Sequence, residues 1–159
     1  MSQAEAPAAG ADVTIDAAPE KVYALITDLP TLASLGEEIA TMEWQKGSAV
    51  QPGAVFKGHN RNGGKKWTTT CTVTEAEPGR VFAFDVRHTA LPIAHWRYDI
   101  EPADAGGCRV TERTWDRRPG WFAKVAGIAT GVHDRRAANA DHIRATLRRL
   151  KEKAESANR

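Results

Sequence analysis

The C-terminal segment, residues 119–159, is the feature that most constrains this fold. It shows no strand pattern and predicts one long helix. Apolar residues recur along one face at helical spacing; they are Val125, Ala129, Val132, Ala140, Ile143, Leu147 and Leu150. A helix with a single apolar face must cover another apolar layer. We therefore expect the rest of the chain to supply that layer.

One charged residue interrupts the apolar face of this helix. At 100° per residue, Arg136 falls in its middle and Asn139 at its edge. A buried charge needs a compensating partner, so we expect a counterpart for Arg136 elsewhere in the chain. Gly127 and Gly131 weaken the N-terminal half of the helix. We expect the helix to be looser there and to provide an entrance if a cavity lies beneath it.

Before this helix, the sequence alternates with the period of two that is typical of strands. A short strand begins at Asp12, and six further strands follow residue 40. Turn signals separate most of them; these are Pro52–Gly53, Asn62–Gly63, Pro78–Gly79 and Gly106–Gly107. Consecutive strands joined by short turns favour an antiparallel meander.

Two short helices are predicted between the first and second strands. Pro19 opens the first, with Glu20 in its first turn. Pro30 is expected to interrupt the chain before a second helix over residues 32–38. The predicted fold class is α+β: a curved, seven-stranded antiparallel sheet wrapped around the long C-terminal helix, with a cavity between them.

Length and composition are those of one ordinary globular domain. The chain has 159 residues, of which 42% are hydrophobic and 26% are charged. We therefore expect a single ligand-binding domain over residues 12–155. Residues 1–11 are rich in Ala, Gly and Pro and read as a disordered tail without signal-peptide features, and residues 156–159 as a flexible end. No apolar run reaches the roughly 18 residues of a membrane span. We expect a cytoplasmic protein, monomeric or weakly homodimeric.

Charge and cysteine content argue against several functional classes. A net charge of +2 does not favour nucleic-acid binding. Cys71 and Cys108 form neither a CxxC nor a Cys/His ligand pattern, and the five histidines lack metal-ligand spacing. The serines show no nucleophile elbow. The sequence predicts no metal site and no cofactor.

Four stretches carry a resemblance to a known superfamily. They are I-D-A-A-P-E-K-V-Y at residues 15–23, T-V-T-E-A-E-P-G-R-V-F-A-F at 72–84, W-R-Y-D-I at 96–100 and G-C-R-V-T-E at 107–112. With the order of elements, they make residues 12–153 resemble the helix-grip fold of the START and birch-pollen-allergen (SRPBCC) superfamily, especially its bacterial polyketide cyclase/dehydrase and lipid transport branch. The resemblance implies a pocket for an apolar ligand. Because members range from lipid carriers to chaperone activators, fold does not select the activity.

Glu112 is the expected counterpart of Arg136. If Val110 points inward along the last strand, so does Glu112. The pair could be structural, fixing the helix over the sheet, or either group could be exposed. It could also be functional, with Arg136 polarising a ligand carbonyl and Glu112 orienting the ligand or moving a proton. Tyr98 would add a hydroxyl donor, which makes Arg136, Glu112 and Tyr98 the candidate catalytic residues.

The predicted inner face of the sheet is rich in aromatic residues. Most of these should be core, and some should contact a flat ligand. Asn60 could hydrogen-bond to the ligand or lie in water at the hairpin end. The candidate ligand-binding set comprises Trp44, Phe56, Asn60, Trp67, Thr69, Phe82, Phe84, Trp96, Tyr98, Glu112, Val132, Arg136 and Asn139.

Three functions fit these observations. The first is binding, and possibly transport, of a hydrophobic small molecule, lipid or polyketide-like. The second is a cofactor-independent cyclase/dehydratase that polarises a poly-carbonyl chain. The third is a protein-interaction module that uses the outer face. A hydrophobic small molecule is the expected partner in the first two.

Overall fold

The computed structural model describes residues 6–36, 39–119, 121 and 135–156, and of residues 135 and 136 the backbone alone. Its helices are α1 (Pro19–Ile26), α2 (Leu29–Leu35) and α3 (Arg135–Ser156), with a 3-10 turn at Asp104–Gly106. Its strands are β1 (Ala9–Ile15), β2 (Ile39–Lys46), β3 (Val55–Asn62), β4 (Lys65–Glu77), β5 (Val81–His88), β6 (Leu91–Pro102) and β7 (Cys108–Asp116).

The seven strands form one antiparallel sheet in the order β1-β7-β6-β5-β4-β3-β2. Each of β2 to β7 pairs with the strand before or after it in sequence, and β1 joins beside β7. The C-terminal helix α3 packs against β1 and β7 and against both short helices. The predicted helix-grip architecture, with β1 extending the meander, is therefore confirmed.

The first strand begins earlier than its side-chain pattern predicted. Ala9 pairs with Thr114 and Gly10 with Arg113, so residues 9–11 belong to the sheet and not to the tail. Strand pairing uses backbone groups, which small residues present as well as large ones. A side chain at Gly10 would meet the Arg113 Cγ atom at 2.9 Å. The close approach to β7 thus favours the small residues that suggested disorder.

Helix α2 begins three residues before its predicted start. Asp28 caps it: its Oδ2 accepts hydrogen bonds from the Thr31 backbone N at 3.2 Å and the Thr31 hydroxyl at 2.6 Å. Pro30 lies in the first turn, where the missing N–H costs no helical hydrogen bond, so it starts this helix and does not break it. The helix ends at Leu35, and residues 37–38 of the predicted helix lie outside the described residues.

Helix α3 buries the face that the sequence predicted. Ile143, Leu147 and Leu150 are inaccessible or nearly so, and Ala140 is half-buried. The Thr146 hydroxyl at 3.2 Å and the Arg149 guanidinium at 2.9 Å both donate to the carbonyl oxygen of Leu35. These bonds satisfy a carbonyl at the end of α2, where helical partners are lacking, and fix α3 against α2.

The N-terminal half of the predicted long helix falls on residues 120 and 122–134, outside the described residues. This applies to Val125, Ala129 and Val132 and to the expected entrance at Gly127–Gly131.

The outer face of the sheet is polar, as the alternation predicted. Arg97 forms ion pairs with Glu75 and, through Nε at 3.0 Å, with Asp99. Arg113 joins Asp99 at 2.8 Å. These ion pairs lie on the outer face of the sheet, whereas Glu112 lies on the opposite, apolar face.

Candidate functional site

The site is built around two residues that lie opposite each other on neighbouring strands. Tyr98 of β6 pairs with Glu112 of β7 in the antiparallel register. Along β7, Cys108, Val110, Glu112 and Thr114 are buried and alternate with more exposed residues. The period of two therefore carries a carboxyl group to the apolar face of the sheet, as predicted.

Glu112 is a carboxyl group almost entirely removed from water. Its residue surface is 3% exposed, and its Oε1 has no hydrogen-bond partner among the described residues. Burial raises the pKa of Glu112 to about 8, a rise that a hydrogen bond from the Tyr98 side chain partly offsets. At pH 7 the group is therefore mostly a neutral acid, which can donate a hydrogen bond as well as accept one.

Tyr98 is held in place on two sides. Burial raises its pKa well above the usual value, and the nearby Glu112 carboxyl adds to this rise. Its ring stacks on Phe82, with 6.2 Å between ring centroids and 13° between planes. The phenol therefore stays protonated at physiological pH, with its hydroxyl on the Glu112 side.

A row of aromatic rings crosses the inner face from Tyr98 to the sheet edge. Phe82 contacts Phe84 at 5.2 Å, Phe84 contacts Phe56 at 5.3 Å, and Phe56 contacts Trp44 at 5.9 Å between centroids. The three phenylalanines are buried, whereas Trp44 is half-buried. These predicted ligand-binding aromatics are brought together in one continuous apolar surface.

The remaining sheet residues of the predicted set are less closely grouped. Trp96 is half-buried and packs against the hydrophobic core. Trp67 is also half-buried but is not among the residues that pack against that core. Asn60 is half-buried, and its Nδ2 donates to the Gly58 carbonyl at 3.1 Å and to the Thr69 hydroxyl at 3.2 Å. Asn60 thus bonds within the sheet, and its predicted hydrogen bond to a ligand stays a prediction.

The helix side of the predicted site is only partly described. Val132 and the Arg136 side chain lie outside the described residues, so the predicted Arg136–Glu112 pair is neither supported nor contradicted. Asn139 is half-buried on α3.

Sequence reasoning missed a second group of residues that line a cleft at the other end of the aromatic row. The cleft has a volume of about 570 Å³, and its lining includes Tyr23, Thr27, Met42, Trp44 and Val50. Trp44 alone belonged to the predicted set. The only signal in the sequence was the shortness of the second predicted helix relative to the strand beside it.

Two other kinds of site have no counterpart in the part of the chain described. Within those ranges, no three His, Cys, Asp or Glu side chains are grouped as a metal site would require. The described helices also include none that is both long and apolar enough to cross a membrane.

The sequence matches one protein family over residues 8–155, the polyketide cyclase / dehydrase and lipid transport family. The chain belongs to this family. The superfamily resemblance carried by the four sequence stretches is thereby confirmed. No curated protein matches the sequence.

Solved structures show the same fold. The di-domain ARO/CYC StfQ from the steffimycin biosynthetic pathway aligns with a TM-score of 0.73 at 15% identity, over 94% of this chain. The chain spans half of that protein's length. Cgl2372 of Corynebacterium glutamicum, a Polyketide_cyc-like protein, gives a TM-score of 0.62 at 26% identity over 92% of this chain and 90% of its own. Ara h 8.0201 gives 0.65 at 17% identity, over 92% and 96%.

Proposed function

We propose that this protein binds an oxygenated hydrophobic small molecule, lipid or polyketide-like, against the inner face of the sheet. In this proposal the half-buried indole of Trp96, two residues before Tyr98 on the same strand face, contacts the apolar body of the ligand, and the buried phenylalanines form the core beneath the site. Tyr98 and Glu112 anchor its polar group, and the predicted ligand residues of the C-terminal helix close the site from the opposite side. Membership of a family named for polyketide cyclisation and lipid transport supports an apolar ligand.

The buried carboxyl group of Glu112 is the observation that carries the proposal. A buried polar atom without a partner costs about 1–3 kcal/mol. Replacing Glu112 by an apolar residue would avoid this cost if the position only filled the core. A ligand carbonyl or hydroxyl at Oε1 would remove the cost and would gain a directional contact in an otherwise apolar surface.

The protonation state of Glu112 specifies which polar group is preferred. A neutral carboxyl donates a hydrogen bond to a ketone oxygen, whereas a carboxylate only accepts. Because burial raises the pKa of Glu112 to about 8, the protonated carboxyl can donate a hydrogen bond to a ligand carbonyl at pH 7. At higher pH Glu112 loses this proton and can no longer donate. We therefore expect a preference for ketones that declines between pH 7 and pH 9.

The test compares two molecules with one carbon skeleton, 1-tetralone and tetralin, by isothermal titration calorimetry. Wild type should bind the ketone about tenfold more tightly at pH 6.5, the equivalent of one good hydrogen bond. This preference should be lost at pH 9 in wild type. It should persist at pH 9 in Glu112→Gln, whose amide N–H₂ donates at every pH. Equal affinities for both molecules at pH 6.5, or no binding of either, would overturn the proposal.

A cyclase/dehydratase activity is the second candidate, favoured by a neutral carboxylic acid beside a tyrosine hydroxyl. In a dehydration, a base removes the proton α to a ketone and the β-hydroxyl leaves as water. Glu112, oriented by the hydrogen bond from Tyr98, would protonate that leaving hydroxyl, while the predicted Arg136 would polarise the ketone. Enone absorbance from 4-hydroxy-4-phenylbutan-2-one measures this step. Turnover that is undiminished in Glu112→Gln would exclude Glu112 as the acid.

A further inference from the structure

The second cleft lies at the sheet edge, between β2, the junction of α1 with α2, and the loop from β2 to β3. Its apolar lining is formed by Leu29, Pro30, Met42, Trp44 and Val50. Three further lining residues carry hydroxyl groups, and they are Tyr23, Thr27 and Ser48. Met42 and Trp44 are half-buried, although they lie on the face of β2 that carries the hydrophobic side chains.

The cleft exists because the element that covers β2 is too short. Helix α2 packs on β2, but its 7 residues extend over only about 10 Å. The 8 residues of β2 extend over about 26 Å. In the described part of the chain, the sheet contacts of α3 are chiefly with β1 and, to a smaller extent, with β7. Among the described helices, α2 is therefore the one that packs on β2, and it is too short to reach from one end of the strand to the other.

The cleft is separate from the site at Tyr98 and Glu112. The indole of Trp44 contacts Phe56, and two further phenylalanines, Phe84 and Phe82, follow before Tyr98 is reached. Phe56 and Phe82 have no accessible surface, so these rings are packed core. A molecule in the cleft would contact Trp44 and would stop at Phe56.

The size of the cleft decides between a small molecule and a protein partner. Small-molecule sites typically have volumes of about 300–1,000 Å³, a range that includes the 570 Å³ found here. A stable protein interface buries about 800 Å² on each partner and is usually flat. A concave site bounded by eleven residues is suited to the first and too small for the second.

The charges of the cleft restrict the ligand further. The charged residues among its lining are both acidic, Asp28 and Glu43, and the lining contains no Lys or Arg. Asp28 already caps α2, and Glu43 pairs with His59 at 2.8 Å. Among the described lining residues an anionic ligand would find no Lys or Arg to pair with, while an uncharged ring could lie against Trp44 and hydrogen-bond at the rim.

We propose that this cleft is a second binding site, for an uncharged, flat aromatic molecule that packs against Trp44. It does not depend on the function proposed for Tyr98 and Glu112. Two sites of different chemistry would allow the protein to hold a planar molecule at the sheet edge while a ketone occupies the inner face.

Nuclear magnetic resonance of the ¹⁵N-labelled protein locates the site directly. Titration with neutral 1-aminoanthracene should shift the amide signals of Tyr23, Thr27, Met42 and Val50 and the indole signal of Trp44, with saturation. The anion 8-anilinonaphthalene-1-sulfonate should bind there at least tenfold more weakly. Shifts confined to the strands around Tyr98 would overturn the cleft as a binding site. Shifts at the cleft would support it and would leave the proposal for Tyr98 and Glu112 to its own ketone test. Equal or tighter binding of the anion in the cleft would overturn the choice of an uncharged ligand.

A pair of matched variants adds a second measurement. Val50→Trp places a larger side chain within the cleft and should weaken 1-aminoanthracene binding there at least tenfold. Val55→Trp makes the same change on the neighbouring strand, on the opposite side of the sheet from Phe56, and should leave it unchanged. Equal affinity in wild type and a folded Val50→Trp would contradict the proposal. If Val50→Trp does not fold, the wild-type shift map decides the question alone.

Discussion

Glu112→Gln is the most informative substitution, because it distinguishes a buried neutral carboxylic acid from a buried ion pair. The two predict opposite changes in stability, relative to the variant, as pH rises. The pKa of the carboxyl is 4.5 in the reference state and about 8 in the fold. At a pH between these two pKa values, Glu112 is ionised in the unfolded chain and protonated in the folded chain. The stability of the wild type therefore falls as pH rises from about 4.5 to about 8, and below 4.5 this group causes no loss.

The size of the effect follows from the same values. Each pKa unit corresponds to about 1.4 kcal/mol, so the full loss above pH 8 is about 5 kcal/mol, of which about half develops between pH 5 and pH 7. Glutamine has nearly the same shape and no charge, and it can still accept the Tyr98 hydrogen bond. The free energy of unfolding of Glu112→Gln, relative to that of wild type, should therefore rise by about 2–3 kcal/mol between pH 5 and pH 7.

Urea denaturation at pH 5, 6, 7, 8 and 9 measures this difference, with Glu101→Gln as the control. Glu101 is exposed on β6, so its variant should follow the wild-type curve. If wild type instead becomes more stable than Glu112→Gln as pH rises, Glu112 is ionised in the fold. That result would refute the neutral acid and would favour the structural pair with Arg136 that the sequence suggested.

Three further substitutions test the framework around the site. Asp28→Ala removes the cap of α2 and should cost about 1 kcal/mol of unfolding free energy in urea. Thr146→Val removes one of two donors to the Leu35 carbonyl and should cost about 1 kcal/mol, with Arg149 retaining its bond. Phe82→Ala removes a fully buried ring next to Tyr98 and should cost about 3–5 kcal/mol, measured in the same way.

A change at an exposed position of the same helix serves as the control for Thr146→Val. Arg148→Met is on the exposed side of α3 and should be close to neutral, whereas Thr146→Val is not. No loss of stability in Asp28→Ala would show that the cap contributes nothing. A loss below 1 kcal/mol in Phe82→Ala would show that the aromatic row is not close-packed.

The sequence alone was sufficient for the order of the strands and, away from β-bulges such as the one between Val73 and Glu75, for the face that a residue occupies. Alternation is a local property: once a strand forms, a period of two carries Phe82, Phe84, Tyr98 and Glu112 to one side regardless of the rest of the fold. Helical spacing placed Ile143 on the buried face of α3 for the same reason. Element ends were less predictable, since pairing with β7 extends β1 to Ala9 through backbone bonds alone.

Only the tertiary structure decided the chemistry of the site. The pKa of Glu112 depends on how completely β6, β7 and their neighbours exclude water from one carboxyl group, and no local pattern records that. The cleft at Trp44 likewise depends on two lengths compared in space, a short helix lying over a longer strand. Periodicity specifies the direction in which a side chain points, and packing between distant segments determines what it meets there.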